Sequence, residues 1–340
     1  MQLDDKKWKE FEIYDIFNHI RGKRQIAENR KKGTIPYYSA SKHQNGLTDL
    51  ISNPAFTVNT NAIIYTTFGD AYYVEKGFTC SDEITILTNK SLDKYNGLFL
   101  CACINQNRNK YCFGRKAFSN KIGRDKILIP TSENGNPDYE FMSNYIRNEF
   151  FKEIEDLKKY CQNALLNINK KDIPKLSEKK WEAFNVNYIF PYIQRGKRLK
   201  KGDHKAGNIP YVSSTMMNNG VDNFISNKEG KKFDNCITIA NSGSVGASFY
   251  HQYEFIGSDH ITALKNEKFN KYIYLFLTTI VSRISDKYSF NREINDFRIS
   301  NEKILLPVNE DGNPDYEYME QYIKNIMYKQ YKRYLDFLED

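Results

Sequence analysis

Two short patterns in this chain have residue types that could modify nucleic acid. Amino-methyltransferases use an Asn/Asp-Pro-Pro-Tyr/Phe tetrapeptide, and residues 53–56 read Asn-Pro-Ala-Phe. One class of nucleases uses Pro-Asp followed by Asp/Glu-x-Lys, and Pro137-Asp138 with residues 156–158 (Asp-Leu-Lys) fits that order. The first pattern lacks its second proline, and the second places Leu157 on an apolar helical stripe. We interpret the first as a turn and Pro137-Asp138 as a helix start, where the carboxylate satisfies free N–H groups.

Other catalytic and metal-binding signatures are missing from the sequence. There is no Walker loop, His-Glu-x-x-His, Gly-x-Ser-x-Gly or Phe-x-Gly-x-Gly cofactor loop. The five histidines are scattered, and the six cysteines include no Cys-x-x-Cys pair. Because five of the cysteines lie in the first half, we expect reduced thiols in a cytoplasmic protein rather than a disulfide framework. We therefore expect a binding chain with no catalytic residue, metal or cofactor of its own.

Basic residues at recurring positions are the candidates for phosphate contacts, which position a protein on DNA. Arg-Gly-Lys-Arg occurs at 21–24 and again at 195–198, and Phe-x-Arg occurs at 113–115 and 290–292. The glycine of each Arg-Gly-Lys-Arg loop would let the backbone come close to the ligand. For any one of these residues, a solvated surface charge is the alternative. The predicted phosphate-contacting residues are Arg21, Lys23, Arg24, Arg115, Lys116, Arg124, Arg195, Lys197, Arg198, Lys200, Arg292 and Arg298.

Polar stretches after two Ile-Pro-Tyr motifs are the candidates for reading bases, because their side chains carry donors and acceptors for base edges. Residues 38–50 read YSASKHQNGLTDL, and residues 212–224 read VSSTMMNNGVDNF. Ordinary turn chemistry at the two Asn-Gly pairs is the alternative. The predicted base-contacting residues are Tyr37, Ser41, Lys42, His43, Gln44, Asn45, Tyr211, Ser213, Ser214, Thr215, Asn218 and Asn219.

These candidates belong to a unit that the chain contains twice. The matched motifs are collinear, and their offset drifts only from 173 to 177 residues. Internal repeats of this length indicate duplication of a whole unit rather than a solenoid. The matched pairs are Trp-x-x-Phe at 8–11 and 181–184, Arg-Gly-Lys-Arg, Ile-Pro-Tyr at 35–37 and 209–211, Ile-Ser-Asn at 51–53 and 225–227, Ser-Asp at 81–82 and 258–259, Phe-x-Arg, and Gly-Asn-Pro-Asp-Tyr-Glu at 135–140 and 312–317.

Each copy predicts a mixed α/β unit that ends in a helix. The β-branched runs at 62–67, 84–87 and 236–240 predict strands, and 95–105 and 272–284 predict helices. Apolar residues at helical spacing predict terminal helices over 141–168 and 318–340, joined to the rest by a linker at 169–180. The predicted domains are then 1–140 and 181–317.

The apolar stripes of the two terminal helices are expected to pack on each other, as in a coiled coil. The first helix would be about 40 Å long at about 1.5 Å per residue. Packing of each stripe on its own unit is the alternative. The predicted helix-pair interface is Ile146, Phe150, Ile154, Leu157, Ile323, Met327, Tyr331 and Tyr334.

Composition and charge agree with two binding domains. The 340 residues are 40% hydrophobic and 27% charged, with a net charge of +8. The longest apolar run, 272–281, is far shorter than the roughly 20 residues of a membrane-spanning helix. Both halves are basic, which favours a polyanionic partner touched by each; a merely alkaline protein is the alternative.

The order of motifs resembles a known family. Two divergent units, each running Trp-x-x-Phe, Gly-Lys-Arg, Ile-Pro-Tyr-x-Ser and Asn-Gly before a terminal helix, resemble the specificity subunits of type I restriction–modification systems. The Gly-Asn-Pro-Asp-Tyr-Glu helix start and the short helices resemble the type IIB (BcgI-like) variety more. The resemblance covers essentially the whole chain.

The resemblance implies an α+β fold with two duplicated mixed α/β target recognition domains, joined by an antiparallel pair of long helices. It implies an asymmetric bipartite site in double-stranded DNA. Antiparallel helices of about 40 Å would independently place the two units about one DNA turn, about 34–36 Å, apart. The resemblance implies a DNA methyltransferase partner that holds S-adenosylmethionine for adenine-N6 methylation. In many systems it also implies a restriction or translocase subunit, with Mg²⁺ in the partner. The short helix 318–340 leaves type I and type IIB both open.

Two other classes of function stay open at the level of the sequence. The chain could be a methyltransferase or nuclease in its own right, which the missing motifs oppose. It could also be a stand-alone DNA-binding or inhibitory protein that mimics a specificity subunit, and would then bind DNA or a partner without any methylation.

Overall fold

The computed structural model describes residues 2–289 and 291–339, without the side chains of 119, 120 and 339. Phe290 of the repeated Phe-x-Arg motif and Asp340 at the end of the second predicted helix lie outside the described residues. The chain divides into two compact units, unit 1 (Met1–Leu157) and unit 2 (Lys158–Asp340).

Unit 1 contains the first copy of the repeat. Its strands are β1 (Lys7–Glu12), β2 (Asn18–Arg21), β3 (Lys32–Tyr38), β4 (Leu47–Ile51), β5 (Ala62–Thr66), β6 (Ala71–Val74), β7 (Thr79–Cys80), β8 (Ile84–Thr88) and β9 (Lys126–Thr131). Its helices are α1 (Ile13–Ile16), α2 (Lys94–Asn105), α3 (Ser119–Ile122) and the first part of α4 (Tyr139–Leu166). The boundary between the units falls inside α4.

Unit 2 repeats this order. Its strands are β10 (Trp181–Asn185), β11 (Tyr192–Arg195), β12 (Ala206–Val212), β13 (Val221–Ile225), β14 (Lys231–Phe233), β15 (Cys236–Ala240), β16 (Ser248–His251), β17 (Phe255–Gly257), β18 (Ile261–Lys265) and β19 (Lys303–Pro307). Its helices are α5 (Val186–Ile189), α6 (Lys271–Ser282), α7 (Asp296–Asn301) and α8 (Tyr316–Glu339).

The two units share their strand order, as the duplication predicts, except that unit 2 has the additional strand β14. An antiparallel four-stranded sheet runs β2-β8-β5-β6 in unit 1 and β11-β18-β15-β16 in unit 2. A second sheet runs β4-β3-β7 in unit 1 and β13-β12-β17-β14 in unit 2, and β3 and β12 each have one parallel neighbour. In unit 1, a single antiparallel bridge between Val58 and Phe78 replaces the pairing that β14 makes in unit 2.

The β-branched run in β5 is continuous because both faces of its sheet are covered. Ile63 and Tyr65 pack on one side against α2, while Ile64 and its neighbours pack on the other side with Phe78. All five residues of β5 and of β15 are buried. The four-stranded sheet is therefore the buried centre of each unit. The basic loop follows its edge strand, β2 or β11, whereas the predicted base-reading loop joins two strands of the second sheet, β3 to β4 or β12 to β13.

The terminal helices begin at Tyr139 and Tyr316, two residues before the predicted starts at 141 and 318. The Asp138 carboxylate accepts the N–H of Phe141 at 3.0 Å, and the Asp315 carboxylate accepts the N–H of Tyr318 at 3.0 Å. Each carboxylate also pairs with a lysine that precedes the first strand of its unit, at 2.6 Å for Lys6 and 2.7 Å for Lys179. The helix-start interpretation of Pro137-Asp138 is confirmed.

The two catalytic patterns of the sequence are structural elements. Asp156 lies 18 residues beyond Asp138 along α4, about 27 Å at about 1.5 Å per residue, so the nuclease-like residues cannot share a site. Asn53 accepts the N–H of Lys31 at 2.8 Å and donates to the Asn29 carbonyl at 2.9 Å. The matched Asn227 makes the same two kinds of bond, so this position ties two loops together in each unit.

Candidate nucleic-acid interface

The two Arg-Gly-Lys-Arg loops bind the two Ser-Asp turns, so motifs matched in the sequence meet in space. The Nε of Arg21 donates to the carbonyl of Asp82 at 2.9 Å, and that of Arg195 donates to the carbonyl of Asp259 at 2.6 Å. Both arginines are exposed, and their remaining guanidinium N–H groups can still face a ligand. Each clamp, as we call this arginine–carbonyl pair, joins β2 or β11 to the turn before β8 or β18.

The glycine of each loop serves packing inside the protein, which corrects our interpretation that it lets the backbone approach a ligand. A methyl group on Gly22 would lie 2.7 Å from the Cys80 sulfur and would collide with the carbonyl of Ser81. A methyl group on Gly196 would lie 2.5 Å from the carbonyl oxygen of Gly257 and would collide with that of Ser258. The close approach is therefore to the neighbouring turn.

The other predicted phosphate contacts of these loops remain exposed. Lys23, Arg24, Arg198 and Lys200 present their side chains to solvent. Lys197 is exposed too, and its ammonium donates to the carbonyl of residue 229 at 3.3 Å. These positions suit contact with phosphate, and the role stays a prediction.

The Phe-x-Arg motif of unit 1 forms a tight turn, and the described residues 289 and 292 close the matching turn of unit 2. In unit 1 the backbone groups of Cys112 and Arg115 bond to each other in both directions, at 3.2 and 3.0 Å. In unit 2 Ser289 and Arg292 do the same, at 3.3 and 2.9 Å. A cavity of about 320 Å³ beside the first turn is lined by Tyr111, Arg115, Lys121, Arg124 and Asp125. The structure thus brings the predicted Arg115 and Arg124 together.

Lys116 and Arg298, also predicted phosphate contacts, have protein partners. The Lys116 ammonium lies 3.0 Å from the Glu83 carboxylate, and the Arg298 guanidinium donates to the carbonyl of Glu293 at 2.6 Å. Lys116 is half-buried and Arg298 is exposed, and contacts this close to water are weak, so both cations can exchange partners. Their roles stay predictions.

A lysine–tyrosine–carboxylate cluster lies beside each turn, and the sequence analysis did not predict it. The Tyr111 hydroxyl donates to Asp125 at 2.6 Å, and the Tyr288 hydroxyl donates to Glu302 at 2.7 Å. Burial, with the bonded carboxylate, raises the pKa of Tyr288 to about 12. Lys110 and Lys287 complete the clusters at 3.7 and 2.7 Å. The lysine, the tyrosine and the carboxylate are each separated from their counterparts by 177 residues, which could have revealed the cluster. A comparison of identical residues does not pair Asp125 with Glu302.

The predicted base-reading loops have the same backbone in both units despite different side chains. Residues 44–46 and 218–220 all have φ between 49° and 86°, a left-handed conformation that favours Asn and Gly. The hydroxyls of Ser41 and Thr215 accept the N–H groups two residues on, each at 3.1 Å, and so hold the loop shape. In unit 1 the loop exposes Lys42 and His43 at the positions where unit 2 exposes two methionines.

The exposed members of these loops remain base-contact candidates. Gln44 and Asn45 are exposed in unit 1, as are Asn218 and Asn219 in unit 2, whereas Ser213 and Ser214 are half-buried beside them. The exposed methionines at 216 and 217 are additional candidates. They were not predicted, because the sequence analysis considered only side chains with hydrogen-bond donors or acceptors.

Tyr37 and Tyr211 are removed from the base-reading candidates by their burial. Tyr37 is 1% exposed and Tyr211 is 4% exposed. Their hydroxyls donate inward to the carbonyls of Gln25 and Leu199, each at 3.2 Å. Alternate residues of a strand point to opposite faces, and the tyrosine of each Ile-Pro-Tyr motif falls on the inner face.

Unit 2 has a polar cavity of about 300 Å³ between its basic loop and its base-reading loop. It is lined by Arg198, Leu199, Lys200, Lys201, His204, Tyr211, Ser213, Asp222, Asp259 and His260. His260 was missed from the sequence because it follows a Ser-Asp motif that reads as a turn. Its backbone carbonyl accepts the N–H of Asn241 at 2.8 Å, as the carbonyl of Glu83 accepts that of Thr67 at 3.0 Å in unit 1. His260 and Glu83 therefore occupy matched positions with different hydrogen-bonding chemistry.

Some of the predicted helix-pair residues pack on their own unit instead of on the other helix. Ile146 packs against the core of unit 1 and Ile323 against the core of unit 2, as the alternative interpretation of the apolar stripes predicted. Phe150 lies 6.4 Å from the Tyr95 ring of its own unit. Within unit 2, the ring of Tyr331 on α8 lies 6.0 Å from that of Tyr160 near the end of α4. For Ile154, Leu157, Met327 and Tyr334, the helix-pair role stays a prediction.

A groove of about 1020 Å³ runs along α8 within unit 2. Its apolar part includes Ile173, Pro174 and the exposed Phe337, and its rim carries a cluster of cations. The cations are Lys170, Lys175, Lys329, Lys332 and Arg333. The groove suits a partner with apolar side chains among acidic ones.

Two classes of feature are absent over the described ranges 2–289 and 291–339. No group of three or more His, Cys, Asp or Glu side chains could hold a metal ion. No helix in these ranges is long and apolar enough to cross a membrane.

Comparison with known proteins relates both units to DNA specificity domains. The family model of the type I restriction modification DNA specificity domain matches residues 5–174 and again 178–334. The type II restriction enzyme BgcI specificity subunit S.BcgI of Heyndrickxia coagulans is 28% identical over 330 residues, which cover 94% of each chain. The crystal structure of the type I restriction–modification S subunit from M. genitalium is similar in fold, with a TM-score of 0.56 at 15% identity, over 100% of this chain and 95% of that one.

Proposed function

This chain belongs to the family of type I restriction modification DNA specificity domain proteins, and from that premise we propose that it reads an asymmetric bipartite DNA site for a restriction–modification complex. In this proposal unit 1 reads one half-site and unit 2 reads the other. The chain does no chemistry itself. A DNA methyltransferase subunit supplies adenine-N6 methylation with S-adenosylmethionine, and a nuclease function with Mg²⁺ also belongs to the partner.

The observation that carries this proposal is a shared clamp beside differing side chains. The arginine–carbonyl clamps Arg21–Asp82 and Arg195–Asp259 are the same in both units. The position that follows each Ser-Asp turn is Glu83 in one unit and His260 in the other. A common phosphate grip next to different base-facing groups is the arrangement expected of two readers of one polymer with different sequences.

The groove along α8 supports the docking part of the proposal. Its exposed Phe337 and Ile326 lie among lysines and an arginine, so an apolar segment with acidic neighbours fits it. Apolar anchors within a charged rim are typical of protein–protein interfaces. We propose that the methyltransferase subunit covers this groove.

A single-molecule methylome of host cells, with and without the gene, tests the proposal. We expect one asymmetric bipartite adenine-methylation motif to vanish when the gene is removed. Replacing residues 1–140 with those of a relative should change one half of that motif and leave the other half intact. Unchanged methylation in cells that express the chain and the methyltransferase would contradict the proposal.

Two further measurements separate the other functional classes. Labelled S-adenosylmethionine incubated with DNA and the isolated chain should give no methylated product, whereas a methyltransferase in its own right would give one. A stand-alone DNA-binding or inhibitory protein would bind DNA or its partner while no methylation motif depended on it.

A further inference from the structure

Among the described residues of unit 1, Phe113 is the most exposed large hydrophobic residue, with 86% of its surface accessible. It lies at the tip of the tight turn between Cys112 and Arg115. Phe118, five residues further along the chain, is 42% exposed. The guanidinium of Arg21 lies over its ring, with 5.6 Å between the guanidinium carbon and the ring centroid. The exposed face of the Phe113 ring is therefore available for contact with a partner.

The chain around Phe113 is strongly cationic. Residues 108–126 contain seven Lys or Arg and one acidic residue, Asp125, whose carboxylate is bonded to Tyr65 and Tyr111 inside the protein. This segment thus accounts for +6 in a chain of net charge +8. The matched segment 285–303 of unit 2 has four basic and four acidic residues. Charge of this density favours a polyanion over an apolar protein surface.

The turn is braced from below, so the ring is presented in a defined place. Two backbone hydrogen bonds close the turn, and Tyr111 next to it is anchored on Asp125. On the other side Lys116 bonds to Glu83, which follows the Ser-Asp turn held by the Arg21 clamp. Phe113 is therefore connected by short contacts to the surface proposed to grip the first half-site.

We propose that Phe113 inserts between base pairs of the half-site read by unit 1 and partly unstacks that step. The inference rests on the proposed DNA-reading function and adds a positioning residue to it. Apolar side chains used as wedges bend DNA and increase the contact between protein and backbone. The surrounding arginines and lysines neutralise the phosphates that approach each other when the step opens.

Equilibrium binding to a duplex with 2-aminopurine in the mapped site tests the wedge. The full chain in complex with its methyltransferase is titrated into duplexes carrying the probe at successive steps of the first half-site, away from the target adenine. We expect fluorescence to rise at one step with the wild type. Phe113→Ala should abolish that rise and weaken binding about tenfold, the size of one lost base–aromatic stack. Phe113→Trp should keep both.

The control is Phe151→Ala, which removes an exposed phenylalanine (53%) on α4 far along the sequence from the turn. It should bind and unstack like the wild type. Equal affinity and an equal fluorescence rise in Phe113→Ala would overturn the wedge while leaving DNA reading intact. Loss of methyltransferase binding in Phe113→Ala would identify a protein contact instead and also overturn it. Failure of the wild-type complex to bind the duplex would reject the proposed function itself.

Discussion

Replacing Gly196 with alanine should destabilise unit 2, because this glycine lets the basic loop pack against the Ser258 turn. The added methyl group would lie 2.5 Å from the Gly257 oxygen and 2.7 Å from its carbonyl carbon, so the backbone must move. Two hydrogen bonds hold the loop there, from Gly196 N–H to Ile261 at 3.1 Å and from Lys197 N–H to Gly257 at 3.0 Å. Losing both costs about 2 kcal/mol, and overpacking adds about 1–3 kcal/mol. We expect a loss of about 3–5 kcal/mol.

Urea unfolding followed by tryptophan fluorescence measures this loss of unfolding free energy in unit 2. The chain has one tryptophan in each unit, so a Trp8→Phe background leaves Trp181 as the reporter of unit 2. Trp181 packs on Phe276 at 6.4 Å and donates to the Leu176 carbonyl, so its emission should change on unfolding. At a slope of about 2 kcal/mol per molar urea, the midpoint should fall by about 2 M.

Gly202→Ala is the matched control, because this glycine lies in the same loop with open space around it. Its midpoint should stay within about 0.3 M of the background value, as for an ordinary surface change. Suppose instead that Gly196→Ala unfolds like its background but binds DNA more weakly. The glycine would then serve approach to the ligand, and the packing argument would be refuted.

Three further predictions concern other parts of the molecule, and five substitutions test them. Asp138→Ala should cost about 1 kcal/mol through loss of the helix cap. Burial alone would raise the pKa of Asp138, but hydrogen bonds from Lys6 and the backbone lower it. The stabilisation by the Asp138 carboxylate should therefore be full at neutral pH and decrease as pH falls below about 3.9. Asp138→Asn should remove this acid dependence when unfolding is measured as a function of pH. Arg198→Ala should weaken binding to all DNA sequences alike and reduce the slope of log K against log salt by about 1; a change in the methylation motif would contradict a phosphate role. His260→Gln should change the bases accepted in one half-site only, and Glu83→Gln those in the other; methylome mapping that shows no change in either half would remove both from the reading surface.

The two units differ in how strongly they should bind DNA. The cationic segment 108–126 has no equal in unit 2, where the matched segment is neutral. Unit 2 instead groups Arg198 and Lys200 around a polar cavity that also includes His260. Duplication therefore preserved the clamp and the loop backbone, while charge and base-facing chemistry diverged.

The sequence by itself determined the duplication, the class of fold and the helix starts. Collinear motifs showed two copies, and buried β-branched runs such as 62–66 predicted strands because burial on both faces requires continuous apolar residues. Asp138 before a helical stripe predicted a cap, since the bond is made three residues away. These features depend on local spacing, which a sequence states directly.

Only the tertiary structure decided which candidate residues face outward and what they touch. Tyr37 was predicted to contact bases because it is polar and recurs in both copies, but its side chain lies on the buried face of its strand. Gly22 was expected to let the backbone approach a ligand, yet Cys80 and Ser81 from a distant part of the chain fill the space beside it. The hydrogen bond of Tyr111 to Asp125, and the bonds that the backbone carbonyls of Glu83 and His260 accept, depend on turn geometry and strand register. Such long-range contacts arise from packing of distant segments, and no local spacing in the sequence encodes them.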